Sequence, residues 1–207
     1  MTNDTAYDCA VIATNAVGNS APSNLLSLTP RAAAPLALTD VKSRKVHGAA
    51  GTFDLSITTG IPVTGPVTVE PRASNEGHAI VFEFNQTIGS FGSVSVTDAA
   101  STPIGNASAV ASGKSVVVTL SGLSDSQRAA IAITGINSTL DISAAMGFLV
   151  GDINNTGTVN ASDIVAVKSS IGKTITLQNF RVDVNASGAI SPSDVPAVKA
   201  RAGKTLQ

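Results

Sequence analysis

From Leu36 to about Val150 apolar and polar residues alternate in short runs, a period of two that predicts β-strands with one buried face. Phe53, Leu55 and Ile57 stand against Thr52, Asp54 and Ser56, and the pattern recurs at Ile80/Phe82/Phe84, Val94/Val96, Val116/Val118/Leu120 and Ile131/Ile133. Turn signals separate these runs at Thr59-Gly60, Asn75-Glu76-Gly77, Ala111-Ser112-Gly113 and Ser121-Gly122. Their spacing suits a seven- or eight-stranded antiparallel sandwich whose two inner faces form the core. Ser124 is the expected N-cap of a short helical turn that leads to the Ile131 strand.

Beyond residue 150 the period changes. Ile164, Val167, Lys168 and Ile171 fall at i, i+3, i+4 and i+7, and Gly172 sits where a glycine would end a helix. Val195, Val198 and Ala202 repeat the stripe before Gly203. Pro196 fits this second helix only if it starts near Ser193, which leaves the proline in the first turn, where its missing N–H costs little. Met146–Val150 reads as strand, so the first helix has no partner helix immediately ahead of it.

Composition agrees with a mainly β chain. Apolar residues make up 43% and charged ones 13%, with 3% aromatic and no Trp, so small cores of Ala, Val, Ile and Leu joined by tight turns are expected. The formal net charge is −1, and the Lys42, Arg44, Lys45 group is too short to track a phosphate backbone; no nucleic-acid partner is expected. Cys9 is the only cysteine, which excludes an internal disulfide and a cysteine-based zinc site. Residues 1–20 lack the basic start and apolar block of a signal peptide, and no apolar run reaches the roughly 18 residues that span a bilayer. No membrane insertion is expected, and a secreted parent would carry its signal upstream.

The first 34 residues read separately. Tyr7 to Asn15 alternates as a strand, Asn15-Ala16-Val17-Gly18-Asn19-Ser20 supplies a turn, and Leu25–Leu28 resumes extended structure. The run Y-x-C-x-V-x-A-x-N-x-x-G-x-S-x-x-S from Tyr7 to Ser23 resembles the last two strands of a fibronectin type III module. Pro30–Pro35 is a small, Pro-flanked linker. The sandwich that follows, residues 35–149, is similar in architecture to the immunoglobulin-like modules of bacterial surface proteins, and none of its motifs names a ligand.

The strongest signal is an internal repeat in residues 150–207. Asp152 to Asp163 aligns with Asp183 to Asp194, and the match extends to Val167-Lys168 with Val198-Lys199 and to Gly172–Thr174 with Gly203–Thr205, so a whole loop-plus-helix unit is duplicated. In each loop oxygen-bearing groups occupy the positions a Ca²⁺ loop uses: Asp152, Asn154, Thr156, the Thr158 carbonyl, Asn160 and Asp163 in the first. Asp183, Asn185, Ser187, the Ala189 carbonyl, Ser191 and Asp194 correspond in the second. Gly157 and Gly188 take the sharp turn, and Val159 is expected to meet Ile190 across the two loops. With two carboxylates per loop, affinity of order 10⁻⁴–10⁻³ M is expected, weaker in the second loop with its serines and Pro192. An Asn/Asp/Gly-rich turn pair that binds nothing is the competing reading.

This duplicated loop-and-helix pattern, with Asp rather than Glu at position 12, resembles a type I-like dockerin, a calcium-dependent docking module. The resemblance implies a cohesin-like partner, contacted through loop positions 10 and 11 and helix positions 17 and 18. Those positions hold Ala161, Ser162, Lys168 and Ser169 here, duplicated as Pro192, Ser193, Lys199 and Ala200. Read as plain helix residues, the two lysines are simply solvated.

Candidate catalysts are sparse. His47 and His78 have no ligand spacing, Glu70, Glu76 and Glu83 fall on or beside outward strand positions, and no G-x-S-x-G, Walker loop or G-x-G-x-x-G occurs. A carbohydrate contact has no residue pattern behind it. The expected fold class is mainly β, an antiparallel β-sandwich followed by a small α-helical module with two calcium loops. The expected role is non-catalytic docking within a secreted, polysaccharide-acting protein, or else a calcium-stabilised structural end module with no separate receptor.

Overall fold

The computed structural model describes residues 1–73 and 77–207, so the expected turn at Asn75-Glu76-Gly77 and the placement of Glu76 lie outside the described residues or at their border. The chain forms two compact units, Met1–Pro35 and Leu36–Gln207. In the first, β1 (Tyr7–Cys9) pairs antiparallel with β4 (Leu26–Leu28), and β2 (Thr14–Asn15) with β3 (Gly18–Asn19). Asn15 Oδ1 accepts the Val17 and Gly18 N–H groups and so builds the turn. The expected strand is broken between Cys9 and Thr14. Val11, Val17, Leu25 and Leu26 are exposed.

The second unit carries two sheets. One has the order β10 (Asn106–Ser112), β11 (Ser115–Ser121), β8 (His78–Phe84), β5 (Leu38–His47), β6 (Gly51–Ser56). The other has the order β7 (Thr68–Glu70), β13 (Leu140–Phe148), β12 (Gln127–Ile136), β9 (Val94–Thr97). All pairs are antiparallel except β7 with β13, which run parallel. The described residues of this unit form nine strands with one parallel pair, against the expectation of seven or eight antiparallel strands. Ile80, Phe82, Val116, Val118 and Leu120 of one sheet share a single apolar cluster with Val96, Ile131, Ile133, Met146 and Phe148 of the other.

Two expectations are corrected. Ser124 caps no helix: residues 125–126 form a turn, Ser126 takes a left-handed φ of 69°, and β12 starts at Gln127. Asp125 Oδ1 accepts both Ser126 N–H and Val150 N–H, so local side-chain bonding outcompetes the helix. Phe53 and Leu55 share the expected face of β6, but only Ile57 belongs to the core between the sheets. Phe53 and Leu55 instead pack on Phe180 and Ile175 of the C-terminal segment.

That segment holds two short helices, α1 (Ala161–Lys168) and α2 (Asp194–Lys199), and a 3-10 turn at Phe180–Val182. Asn160 and Asp163 close a reciprocal capping box at the start of α1. Pro196 falls in the first turn of α2, after Ser193 at its N-cap. Neither helix reaches its glycine. α1 stops at Lys168, and Ile171 is exposed, because Gly172 N–H is engaged by the carbonyl of Ile190 in the other repeat. Likewise α2 stops at Lys199, and Gly203 N–H goes to the Val159 carbonyl. Val159, Val167, Ile190 and Val198 meet in one apolar cluster that also takes Val69 of β7 and Leu149, the residue after β13. The side chains of Val159 and Ile190 thus share a core, while the backbone bridge at the first loop joins Thr158 to Thr205 rather than loop to loop. No described helix is long and apolar enough to cross a membrane.

Candidate metal centre

Each loop is shaped by its two aspartates. In the first, Asp152 accepts Thr156 N–H on Oδ1 at 2.9 Å and Gly157 N–H on Oδ2 at 2.8 Å, which folds positions 1 to 6 into a tight ring. Asp163 accepts Ile153 and Asn154 N–H on Oδ1 and Asn160 N–H on Oδ2, closing the ring from the far end. The second loop repeats these bonds: Asp183 takes Ser187 and Gly188 N–H, and Asp194 takes Asn185 and Ser191 N–H. Gly157 and Gly188 have φ of 76° and 92°, the left-handed turn that glycine adopts without strain.

Inside each ring several oxygens converge beside one backbone N–H, that of Thr156 in the first loop and of Ser187 in the second. Thr156 Oγ1 lies 2.8 Å from Asn154 Oδ1, 3.2 Å from the Thr158 carbonyl and 3.4 Å from Asp152 Oδ1. One hydroxyl carries one proton and can satisfy only one of these three acceptors at a time. In the second loop Ser187 Oγ faces the Ala189 carbonyl at 3.2 Å and Asp183 Oδ1 at 3.4 Å. A surplus of lone pairs over protons, gathered from carboxylate, amide, hydroxyl and carbonyl, is the donor set of a hard cation such as Ca²⁺. The residues present therefore fit the ion.

Charge gives the same answer. Asp152, Asp163, Asp183 and Asp194 are all fully buried, and burying a carboxylate is costly unless it is paired or holds a metal. Burial raises the Asp152 pKa above the ordinary range; the Gly157 and Thr156 N–H groups oppose this and the Asp163 charge adds to it. Burial also pushes Asp183 up, but the hydrogen bond from His47, with help from the Gly188 and Ser187 N–H groups, brings it below its usual value. The two loops thus differ in what surrounds the first aspartate.

Position 9 touches each oxygen group only at long range, Asn160 Nδ2 donating to the Thr158 carbonyl at 3.4 Å and Ser191 Oγ to Asp194 Oδ2 at 3.5 Å. Asn160 Oδ1 accepts Ser162 N–H and Oγ–H as the N-cap of α1, and Ser191 Oγ lies beside Ser193 Oγ at 2.7 Å. Position 9 of such loops often acts through a water. The eight residues expected to meet a partner (Ala161, Ser162, Lys168, Ser169, Pro192, Ser193, Lys199 and Ala200) are all exposed. In each repeat they bracket one helix, two at its start and two at its end.

Residues 150–201 match the family model of the dockerin type I domain. Dockerins are non-catalytic, calcium-binding modules that dock onto cohesin partners, and both oxygen-lined loops lie within the matched residues. No curated protein and no solved structure matches the chain.

Several residues that hold this dockerin segment carried no local signal. His47 Nδ1 lies 2.8 Å from Asp183 Oδ2, though the two are 136 positions apart. Asn155 Oδ1 accepts Val69 N–H at 2.6 Å and ties the first loop to β7. Glu70, expected on an outward strand position, is instead buried and bonded to Arg72 Nε at 2.7 Å. Glu83 is partly exposed and pairs with Lys42 at 3.0 Å. Only a fold that brings β5 against the second loop and β7 against the first reveals the first two.

Proposed function

We propose that the C-terminal segment folds around two Ca²⁺ ions, one per loop, and docks this chain onto a cohesin-like protein domain. The ligands are Asp152, Asn154, Thr156, the Thr158 carbonyl and Asp163 in the first loop, with Asn160 acting through water. In the second loop they are Asp183, Asn185, Ser187, the Ala189 carbonyl and Asp194, with Ser191 in the place of Asn160. The observation that carries the docking half is the exposure of all eight candidate contact residues at the ends of α1 and α2. The parent is read as a secreted or cell-surface polysaccharide-acting protein, with the fibronectin-like hairpin and immunoglobulin-like sandwich as spacers.

A second reading is favoured by the two apolar clusters that join the dockerin segment to the sheets: a calcium-stabilised end module packed on its neighbour, with no separate receptor. Calorimetric titration of the full chain with type I cohesin domains, in saturating Ca²⁺ and in EGTA, separates the two. Docking predicts binding in Ca²⁺ only, weakened tenfold or more by Lys168→Ala with Lys199→Ala. Calcium uptake without any cohesin binding would leave the second reading standing.

A further inference from the structure

The two calcium loops are near copies in sequence, but the sheets touch them differently. Among the described residues, every hydrogen bond to the Asp152 carboxylate comes from its own loop. Around Asp183, the same set of loop donors is joined by one from outside: the imidazole of His47, the last residue of β5, at 2.8 Å from Oδ2. Oδ1 of Asp183 faces Ser187 Oγ inside the oxygen group, whereas Oδ2 takes Gly188 N–H from the loop and His47 from the sheet.

The ring's tautomer follows from its second neighbour. His47 Nε2 lies 3.2 Å from Arg72 Nη1. A guanidinium can only donate, so Nε2 must accept, and the ring proton is left on Nδ1, aimed at Asp183. Arg72 is itself immobile. It is fully buried, forks onto both oxygens of Glu70, and donates to the carbonyls of Phe53 and Ser43. Phe53 and Phe180 meet the imidazole edge to face at 5.2 and 6.2 Å and fix its plane. The backbone beside it is fitted as closely. A Cβ on Gly48 would lie 2.3 Å from the Ser187 carbonyl oxygen, and one on Gly188 would lie 2.8 Å from the His47 carbonyl oxygen.

We propose that His47 is a positioning residue of the second calcium site: its Nδ1–H holds Asp183 with Oδ1 turned into the oxygen group, so that the sheet supplies part of that site's outer shell. This rests on the reading of the loops as calcium sites. Metal-ligating carboxylates are ordinarily oriented by such outer hydrogen bonds, and removing one typically costs 10–100-fold in metal affinity. Among the described residues the first loop has no counterpart to His47. Its tie to the sheet, Asn155 to Val69 N–H, leaves from position 4, which is not a ligand position. The second loop, the poorer in its own residues, is therefore the one the sheet completes.

The test is Ca²⁺ calorimetry on the full chain in two backgrounds, Asp152→Ala to read the second loop alone and Asp183→Ala to read the first. With Asp152→Ala, adding His47→Leu is expected to weaken Ca²⁺ binding tenfold or more, and His47→Gln, whose amide can both donate and accept, to recover most of it. With Asp183→Ala, the same changes should leave affinity within twofold. Unchanged affinity at the second loop, or equal loss at both, overturns the proposal. Should His47→Leu fail to fold, imidazole ¹H–¹⁵N correlation spectra of the Asp152→Ala chain decide. An Nδ1–H tautomer whose shifts move on Ca²⁺ addition supports the proposal, and an Nε2–H tautomer or an unresponsive ring overturns it. No Ca²⁺ heat from the unaltered chain would overturn the calcium reading and this proposal together, whereas heat indifferent to His47 overturns this proposal alone.

Discussion

A guanidinium with no access to solvent must find all its partners within the protein, and Arg72 does. Its five N–H groups meet both Glu70 oxygens, the Phe53 and Ser43 carbonyls and His47 Nε2, and its plane lies 5.0 Å over the Phe180 ring. Removing one member of a buried pair strands the other charge. Arg72→Met is thus expected to cost about 3–5 kcal/mol in urea unfolding, and adding Glu70→Leu should recover a large part of that. Equal loss in the single and double variants would deny the pairing. The same pair sets an acid limit. Burial alone would raise Glu70, but the charge and hydrogen bonds of Arg72, with the Ser43 hydroxyl, hold it down to about 2 from an ordinary 4.5. Because the folded value is the lower one, this stabilisation is complete above about pH 4.5 and is lost as pH falls toward 2. Urea midpoints measured from pH 5 to 2 should fall with pH, and fall less in the Arg72→Met/Glu70→Leu chain.

Among the elements, the junction between β5 and β6 bears most directly on the second loop. Gly48 has φ of 43° and no room for a Cβ beneath Ser187. Gly48→Ala should therefore cost roughly 2 kcal/mol or more, seen as earlier melting and faster proteolysis within residues 183–194. An unchanged melting point would mean that the loop does not rest there. Legibility differed between elements for physical reasons. β11 and β12 showed themselves because one face is buried and the period of two survives, as at Val116/Val118/Leu120, and β8 showed itself through Ile80/Phe82/Phe84 although Val81 is buried too. Of β13 only the end, Met146–Phe148, was legible, because Ala144 to Phe148 is buried on both faces and a continuous apolar run has no period. β5 was hidden by its charge: Asp40, Lys42, Arg44 and Lys45 read as a polar stretch, although Val41, Ser43 and His47 are buried. The loops' oxygen-bearing residues could be named from the sequence because they lie within twelve consecutive residues. His47, Glu70 and Arg72 were not, since their role exists only across long sequence separations.

For the whole molecule, the observation that matters is that no wholly separate core serves the C-terminal segment. Val69 and Leu149 sit among its valines, and Phe53 and Leu55 pack on Phe180. Calcium bound at either loop should then stabilise Leu36–Gln207 as one cooperative body. At a hundredfold excess over Kd each site contributes about 2.7 kcal/mol, or a rise of roughly 5–10 °C in Tm for a unit of this size. Scanning calorimetry should show the sheet transition itself moving with Ca²⁺. A calcium-sensitive transition well separated from an indifferent one would show that the sheets and the loops melt apart.

The repeats are also clasped crosswise. Gly203 N–H and the Lys204 carbonyl bond to Val159, and Gly172 N–H bonds to Ile190. Chain order and closure order are therefore inverted at the first loop. Every residue of that loop leaves the ribosome early, yet its backbone cannot be fastened until Gly203 and Lys204 have been made. Trimming residues 203–207 should accordingly loosen Ca²⁺ at Asp152–Asp163, forty residues upstream, and spare the nearer loop, an outcome that titrating the trimmed chain in the Asp152→Ala and Asp183→Ala backgrounds would read out directly.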